Sequence, residues 1–115
     1  MATQTITKRR QLKEISISLP VEVSDVDGDG AVQKELTHTL YIGPNRASLR
    51  TKRSRPINSD IYLELPLENR GCLCRVEWIS SQRDAEGYFE MEVDIGFVES
   101  FWPIQFPKRF PADSA

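Results

Sequence analysis

Hydrophobic and polar residues alternate along several short stretches of the chain, a pattern typical of β-strands with one buried face. The clearest stretch begins at Phe89, where hydrophobic residues take every second position and Glu90, Glu92 and Asp94 stand between them. Ala47 and Leu49 indicate a short additional strand. The five longer hydrophobic rows, including the one that begins at Phe89, are Ile15, Ile17, Leu19, Val21 and Val23; Val32, Leu36, Leu40 and Ile42; Ile61, Leu63, Leu65 and Leu67; Cys72, Cys74, Val76 and Trp78; and Phe89, Met91, Val93, Ile95 and Phe97.

Turn-forming residues separate these rows, and no stretch of a dozen residues shows helical spacing. The pattern predicts an all-β fold, a small six-stranded antiparallel barrel with little or no helix, because closure removes the exposed edges of such a small sheet. We expect a flexible basic segment over residues 1–14, the barrel over residues 15–107 and a short tail over residues 108–115. Pro20 predicts an edge or a bend within the first row.

Composition excludes several classes of protein. With 115 residues, 39% of them hydrophobic, and a net charge of −2, the chain fits one folded domain rather than a disordered chain or a bulk nucleic-acid binder. No apolar run is long enough to cross a membrane, and Met1–Thr7 lacks a signal-peptide pattern, so we expect a cytoplasmic protein. Cys72 and Cys74 would share one strand face as buried, reduced thiols.

Charged residues are segregated along the chain. One basic segment comprises Lys8, Arg9, Arg10 and Lys13, and a second comprises Arg46, Arg50, Lys52, Arg53 and Arg55. Acidic residues collect between Asp25 and Glu35 and between Glu90 and Asp94. The simplest interpretation of these charged stretches is that they form solvent-exposed strand faces, but two basic loops on one small barrel could also bind phosphate. An alternative function is single-stranded nucleic-acid binding, with the second basic segment on phosphates and Tyr41 stacking on a base.

Two further kinds of site have weaker signals. Asp25, Asp27, Asp29 and Gly30 match the opening of a calcium-binding loop, but its twelfth position, where a bidentate acid is needed, is Leu36. An acidic β-turn is therefore favoured, and calcium stays open as a minor alternative. The single histidine, His38, has no recognisable catalytic partners and is expected in the core or at its rim. We therefore expect neither an enzyme nor a cofactor.

The order of these features resembles the PilZ domain family, small β-barrels that serve bacteria as receptors for the dinucleotide cyclic di-GMP. Arg9-Arg10-Gln11-Leu12-Lys13 resembles the family's Arg-x-x-x-Arg stretch, and Val76-Glu77-Trp78 resembles its Val-x-Trp strand. The stretch from Leu19 to Gly30 is similar to the family's first strand and acidic hairpin. Some members close with an aromatic segment like residues 101–107. The resemblance implies a barrel-shaped, non-catalytic signalling module.

The ligand-binding motifs depart from the family pattern. With Thr39 aligned to the family's threonine, the Asp/Asn-x-Ser-x-x-Gly motif becomes Tyr41, Gly43 and Arg46, and Lys13 replaces the second arginine. Tyrosine lacks the carboxylate or carboxamide that pairs with a guanine edge, glycine lacks a hydroxyl, and Arg46 stands where a positive φ or a close approach is expected.

The resemblance thus implies either a cyclic di-GMP receptor or a degenerate relative that acts as a protein-interaction adaptor with weak or no ligand binding. The ligand site would comprise Arg9, Arg10, Lys13, Tyr41, Gly43 and Arg46. The expected surface for a protein partner comprises Phe101, Trp102, Phe106 and Phe110, although these rings could instead cap the barrel.

Overall fold

A computed structural model describes residues 14–26, 29–96, 101–104 and 106. Seven β-strands and no helix occur in this part of the chain. None of the described residues belongs to a helix that is long and apolar enough to cross a membrane. The strands are β1 (Ile15–Ser16), β2 (Pro20–Val26), β3 (Val32–Gly43), β4 (Arg46–Thr51), β5 (Asp60–Leu65), β6 (Arg70–Ile79) and β7 (Phe89–Asp94).

The strands form a closed antiparallel barrel. Hydrogen-bonded neighbours follow the order β1-β3-β2-β5-β6-β7-β4, and an additional pairing of β3 with β4 closes the ring. Six strands make the barrel, since β1 adds only the pairs Ile15–Ile42 and Ser16–Tyr41 along β3. The predicted six-stranded, all-β barrel is confirmed.

Inward-facing side chains fill the barrel with a continuous apolar core. The alternation predicted for β7 is confirmed at Met91, Val93 and Ile95, while Phe97 lies outside the described residues. Cys72 and Cys74 are both buried in the core as free thiols, with their Sγ atoms 3.7 Å apart. The hydrogen bond in which the Cys74 thiol donates to Cys72 Sγ, together with burial, raises the pKa of Cys74, which favours the neutral thiol.

The first predicted row does not form one continuous strand. β1 ends at Ser16 and β2 begins at Pro20, because proline cannot donate a ladder hydrogen bond. The buried Thr39 bridges the interruption: the Leu19 amide donates to Thr39 Oγ1 at 2.9 Å, and this hydroxyl donates to the Ile17 carbonyl at 2.6 Å. One hydroxyl therefore satisfies two backbone groups where the strand bends.

Two β-bulges explain where the hydrophobic rows fail. The β3–β4 register shifts between Thr39 and Tyr41, so Thr39 and Ile42 both point inward although they are three residues apart. Val32 and Leu36, predicted on the core face with Ile42, are instead 61% and 72% exposed.

A second register shift, between Val76 and Trp78, places Trp78 out of phase with the buried part of its row. Trp78 pairs with Glu92 on β7, and it is Ile79, opposite Met91, that packs against the core. Leu67 was also predicted in a core row but lies 79% exposed in the turn after β5. An extra residue in a strand reverses the facing of everything beyond it, which strict alternation cannot anticipate.

Candidate functional site

The three altered positions of the second motif come together at the hairpin between β3 and β4. Tyr41 pairs with Ser48 across the two strands, and Gly43 pairs with Arg46 at the closing turn. Because Ile42 points into the core, Tyr41 points to the outer face of the barrel, where it is half-buried, whereas Gly43 is covered by its neighbours. Asn45 in the turn extends the β4–β7 pairing, since the Ile95 amide donates to its carbonyl at 2.9 Å.

Gly43 lies beside the point where the described chain begins. A Cβ atom at Gly43 would come within 3.4 Å of Cγ of both Glu14 and Arg46, so the two side chains flank this glycine. Glu14 is the residue directly after Lys13. The hairpin and the entry of the chain into the barrel thus share one place, although Arg9, Arg10 and Lys13 themselves lie outside the described residues.

The backbone of Gly43 also holds the aromatic segment. Trp102 Nε1 donates to the Gly43 carbonyl at 2.8 Å, and the Phe101 and Trp102 rings meet edge to face with centroids 4.9 Å apart. Both rings are buried, at 3% and 4% exposure, which corrects their prediction as an exposed partner surface. Phe106 is half-buried against the same core, and Phe110 lies outside the described residues. Burial of the two large rings indicates that they cap the barrel.

Arg46 is compatible with its position without any strain. It begins β4, and among the described non-glycine residues only Asn58 and Asn69 have positive φ. Of the two alternatives expected at this position, the positive φ is therefore wrong. The Arg46 guanidinium lies 3.7 Å from Glu77 Oε1, and Asp94 faces Arg46 on β7. Glu14 and Arg46 both lie beside Gly43, so acidic residues from three parts of the chain neighbour the hairpin.

Arg53 and Arg55 of the second basic segment are bound within the molecule. Arg55 is 4% exposed; its Nε donates to Asp25 at 2.9 Å, and its guanidinium lies 3.8 Å from Glu35. Arg53 also donates to Asp25, at 3.1 Å. Thr51 accepts a 2.7 Å hydrogen bond from Arg55 and donates one of 2.7 Å to Glu35. We call Asp25, Glu35, Thr51, Arg53 and Arg55 the hairpin cluster, because it joins the hairpin of β2 and β3, which is distinct from the β3–β4 hairpin, to the end of β4.

The hairpin cluster accounts for Asp25, the first of the acidic residues that suggested a calcium site. Asp25 lies within β2, and its carboxylate is occupied by the guanidinium groups of Arg53 and Arg55. Asp27 lies outside the described residues. No group of three or more potential metal ligands occurs among the residues that are described. In the folded chain the Asp25 carboxylate serves as a structural anchor for Arg53 and Arg55.

Arg50 has a separate set of partners on the barrel surface. Its guanidinium donates to Asp84 and to Glu86, each at 2.8 Å, and lies 4.0 Å from the centre of the Tyr88 ring. These hydrogen bonds, chiefly the one to Glu86, raise the pKa of Arg50. The Tyr88 amide, with smaller contributions from Glu86 and Arg50, lowers the pKa of the Asp84 carboxyl.

An open groove of about 440 Å³ lies between β3 and the loop that joins β6 to β7. His38 and Leu40 line one wall and Arg50, Arg83 and Tyr88 line another. The Arg83 guanidinium stacks on the Phe89 ring at 4.6 Å, so the aromatic rings of the groove are engaged by arginines of the same chain. His38 is half-buried at the rim of the barrel rather than in its core.

Two of these features were missed at the level of sequence. The hairpin cluster joins Asp25 and Glu35 to arginines 20–30 positions away, and only the fold brings them together. Thr39 had one signal, its place before the second motif, but its hydroxyl bridge could not be foreseen without the interruption between β1 and β2.

Compared with models of known families, with curated protein sequences and with solved structures, the chain matches none of them.

Proposed function

We propose that this protein is a non-enzymatic, PilZ-like signalling module that acts as a protein-interaction adaptor and binds cyclic di-GMP weakly or not at all. The order of the sequence features and the six-stranded barrel support the likeness. The observation that carries the proposal is the β3–β4 hairpin: its ligand positions lie together beside the entry of the chain, yet residues with structural contacts occupy them.

The chemistry at the hairpin favours loss of the ligand. A guanine edge needs a hydrogen-bonding carboxylate or carboxamide and a phosphate needs donors, whereas this surface offers the Tyr41 phenol and a glycine without a hydroxyl. The Gly43 carbonyl is already occupied by Trp102. Arg46 pairs with Glu77, Asp94 is its neighbour on β7 and Glu14 lies beside Gly43, and this acidic setting opposes an anionic dinucleotide.

The nucleic-acid alternative gains no support from the arginines that suggested it. Phosphate binding requires cations that are free to replace counterions. Arg50, Arg53 and Arg55 instead pair with carboxylates of the same chain, and Arg55 is buried. An adaptor that meets a protein partner is therefore the function we propose.

Titration with cyclic di-GMP, followed on the backbone amides of isotopically labelled protein, tests the ligand half of the proposal. We expect no saturable shifts from Tyr41 to Arg46 or from Lys8 to Lys13 at micromolar ligand, because weak binding with a millimolar dissociation constant supplies only about 4 kcal/mol of binding free energy. Saturable shifts at micromolar ligand in those two stretches would make the protein a receptor and contradict the proposal.

A restoration experiment tests the reason for the loss. The variant that combines Lys13→Arg, Tyr41→Asp, Gly43→Ser and Arg46→Gly should acquire binding. Removing the Arg46 side chain frees space for a serine, since its Cγ would otherwise lie 3.4 Å from the new Cβ. A matched control carries Tyr41→Phe instead of Tyr41→Asp and should stay silent, because it lacks the acceptor for a guanine edge. A folded quadruple variant without binding would show that the motif register around Thr39 is wrong.

A further inference from the structure

The first half of β3 is an open edge of the sheet. β3 extends from Val32 to Gly43, and β2 pairs with it from Val32 to His38. On its other side, β4 pairs only with the stretch from Thr39 to Gly43. Within the described part of the chain, no strand covers the other side of residues 32–38. This stretch therefore presents one row of backbone groups outside the sheet.

The direction of those backbone groups follows from one hydrogen bond. The Thr39 amide donates to the Leu19 carbonyl at 2.9 Å, on the β2 side of β3. Amide and carbonyl groups alternate sides along an antiparallel strand, and the β2–β3 register is continuous through this stretch. The N–H and C=O groups of Lys34, Leu36 and His38 thus point away from β2, toward the open side.

The side chains on this edge have a definite chemical pattern. Val32 and Leu36 are 61% and 72% exposed, and the exposed Lys34 lies between them on the same outer face. Lys34 forms no ion pair within the described part of the chain, and neither does Lys52, which follows the end of β4. The edge therefore shows apolar, cationic and apolar side chains at alternate positions.

Glu35, the acid nearest this edge, is not available to offset these lysines. Its carboxylate accepts hydrogen bonds from the Thr51 hydroxyl and from the Lys52 backbone amide, each at 2.7 Å, on the inner side of the sheet. Among the exposed side chains of residues 32–38, the only charge is therefore the positive charge of Lys34. Long exposed edges that lack a cover are sites at which extended segments add as a further strand.

We propose that the open edge of β3 binds an extended peptide segment of a partner protein by strand addition, and that this segment carries an apolar, an acidic and an apolar residue at alternate positions. The inference rests on the proposed adaptor function and names its contact. The apolar residues would lie beside Val32 and Leu36, and the acid beside Lys34. A second copy of the chain fits less well, because the same edge of that copy would bring a lysine instead of an acid.

A synthetic peptide of sequence Thr-Val-Thr-Glu-Thr-Leu-Thr, acetylated and amidated at its ends, provides the probe. We expect saturable shifts of the Lys34, Leu36 and His38 amides on titration of the labelled protein. The peptide with lysine in place of glutamate should bind about fivefold more weakly, because like charges then lie side by side. Absence of shifts at millimolar peptide, or shifts that lie away from β3, would overturn the proposal.

A charge exchange provides the sharpest control. The variant Lys34→Glu should prefer the lysine peptide to the glutamate peptide, whereas the variant Arg75→Glu, which makes the same change of net charge on β6, should keep the original preference. Leu36→Pro removes an edge amide that does not bond to β2 and should abolish binding. If that variant fails to fold, the charge exchange alone decides, and equal binding of both peptides by Lys34→Glu contradicts the proposal.

Sedimentation of the protein over a range of concentrations separates the other occupant. Dimers that disappear in Lys34→Glu or Leu36→Pro would assign the edge to a second copy and overturn the peptide proposal. Cyclic di-GMP titration is an independent measurement. If neither the peptide nor cyclic di-GMP binds, only the proposed strand addition is contradicted. Tight binding of cyclic di-GMP contradicts the proposed adaptor function instead.

Discussion

The two halves of β3 have different surroundings. Residues 39–43 lie between β4 on one side and the β1–β2 segment on the other, and Thr39, Ile42 and Gly43 are buried. Residues 32–38 pair with β2 alone, and their outer face carries exposed apolar side chains. The change occurs at the bulge between Thr39 and Tyr41.

The halves also differ in what supports their inner faces. The second half contributes Ile42 to the apolar core, whereas the first half contributes Glu35 to the hairpin cluster. A polar cluster can hold a strand that is covered on one side only, because it fixes the strand by directional hydrogen bonds rather than by burial alone. One part of β3 therefore closes the barrel, and a separate part of the same strand forms the exposed edge.

Removal of Arg55 should disturb the first half most. Arg55→Met leaves Asp25 and Glu35 without their buried guanidinium, and loss of one partner of a buried ion pair costs about 3–5 kcal/mol of unfolding free energy. Urea denaturation measures this loss. The control Arg53→Met, whose side chain is 41% exposed, should cost about 1 kcal/mol or less. Equal losses in the two variants would show that the cluster does not depend on the buried arginine.

Replacement of Thr39 should weaken the junction of the two halves. Thr39→Val keeps the shape of the side chain but leaves the Leu19 amide and the Ile17 carbonyl without their partner, at a cost of about 1–3 kcal/mol. Thr39→Ser keeps the hydroxyl and should cost less, about 1 kcal/mol for one buried methyl group. Thermal unfolding with both variants compares them directly. A serine variant that is less stable than the valine variant would refute the role of the hydroxyl bridge.

Substitution on the outer face of the first half should have little effect on stability. Leu36→Thr changes a side chain that is 72% exposed, so the free energy of unfolding should change by at most about 0.5 kcal/mol. The same denaturation experiment tests this expectation. A loss above about 2 kcal/mol would mean that Leu36 is covered in the folded protein.

Acid should weaken the loop that joins β6 to β7 only at a pH below the usual pKa of an aspartate. The pKa of Asp84 is lowered, chiefly by the Tyr88 amide, so its stabilising contribution is present above the usual aspartate pKa and is lost as the pH falls through the lowered value. The Tyr88 amide shift should follow a titration whose midpoint lies below that of an unperturbed aspartate, and Asp84→Asn should abolish it. A midpoint at or above the ordinary value would contradict the hydrogen-bonded loop.

Much of the barrel could be predicted from alternation because most strands keep one face in the core throughout. β7 and β4 match their predicted rows, since Met91, Val93 and Leu49 are all buried. The bulges in β3 and β6 were not predictable, because an extra residue is accommodated by the curvature of the closed sheet rather than by local preference.

The candidate site was predictable in part for a similar reason. The alignment on Thr39 gathered Tyr41, Gly43 and Arg46, which the hairpin does bring together. The partners of the basic segment were not predictable, because Asp25, Glu35, Asp84 and Glu86 approach the arginines only through strand pairing. Charges that appear segregated along a chain can therefore neutralise one another in the fold.

Native-state hydrogen exchange along β3 tests the difference between its two halves most directly. In dilute protein, the amides of Lys34, Leu36 and His38 should exchange orders of magnitude faster than those of Glu35 and Thr37, which point toward β2, and than that of Thr39, which donates to Leu19. Uniform slow exchange from Lys34 to Thr39 at concentrations where the protein is monomeric would show that the edge is already covered, and would contradict this account.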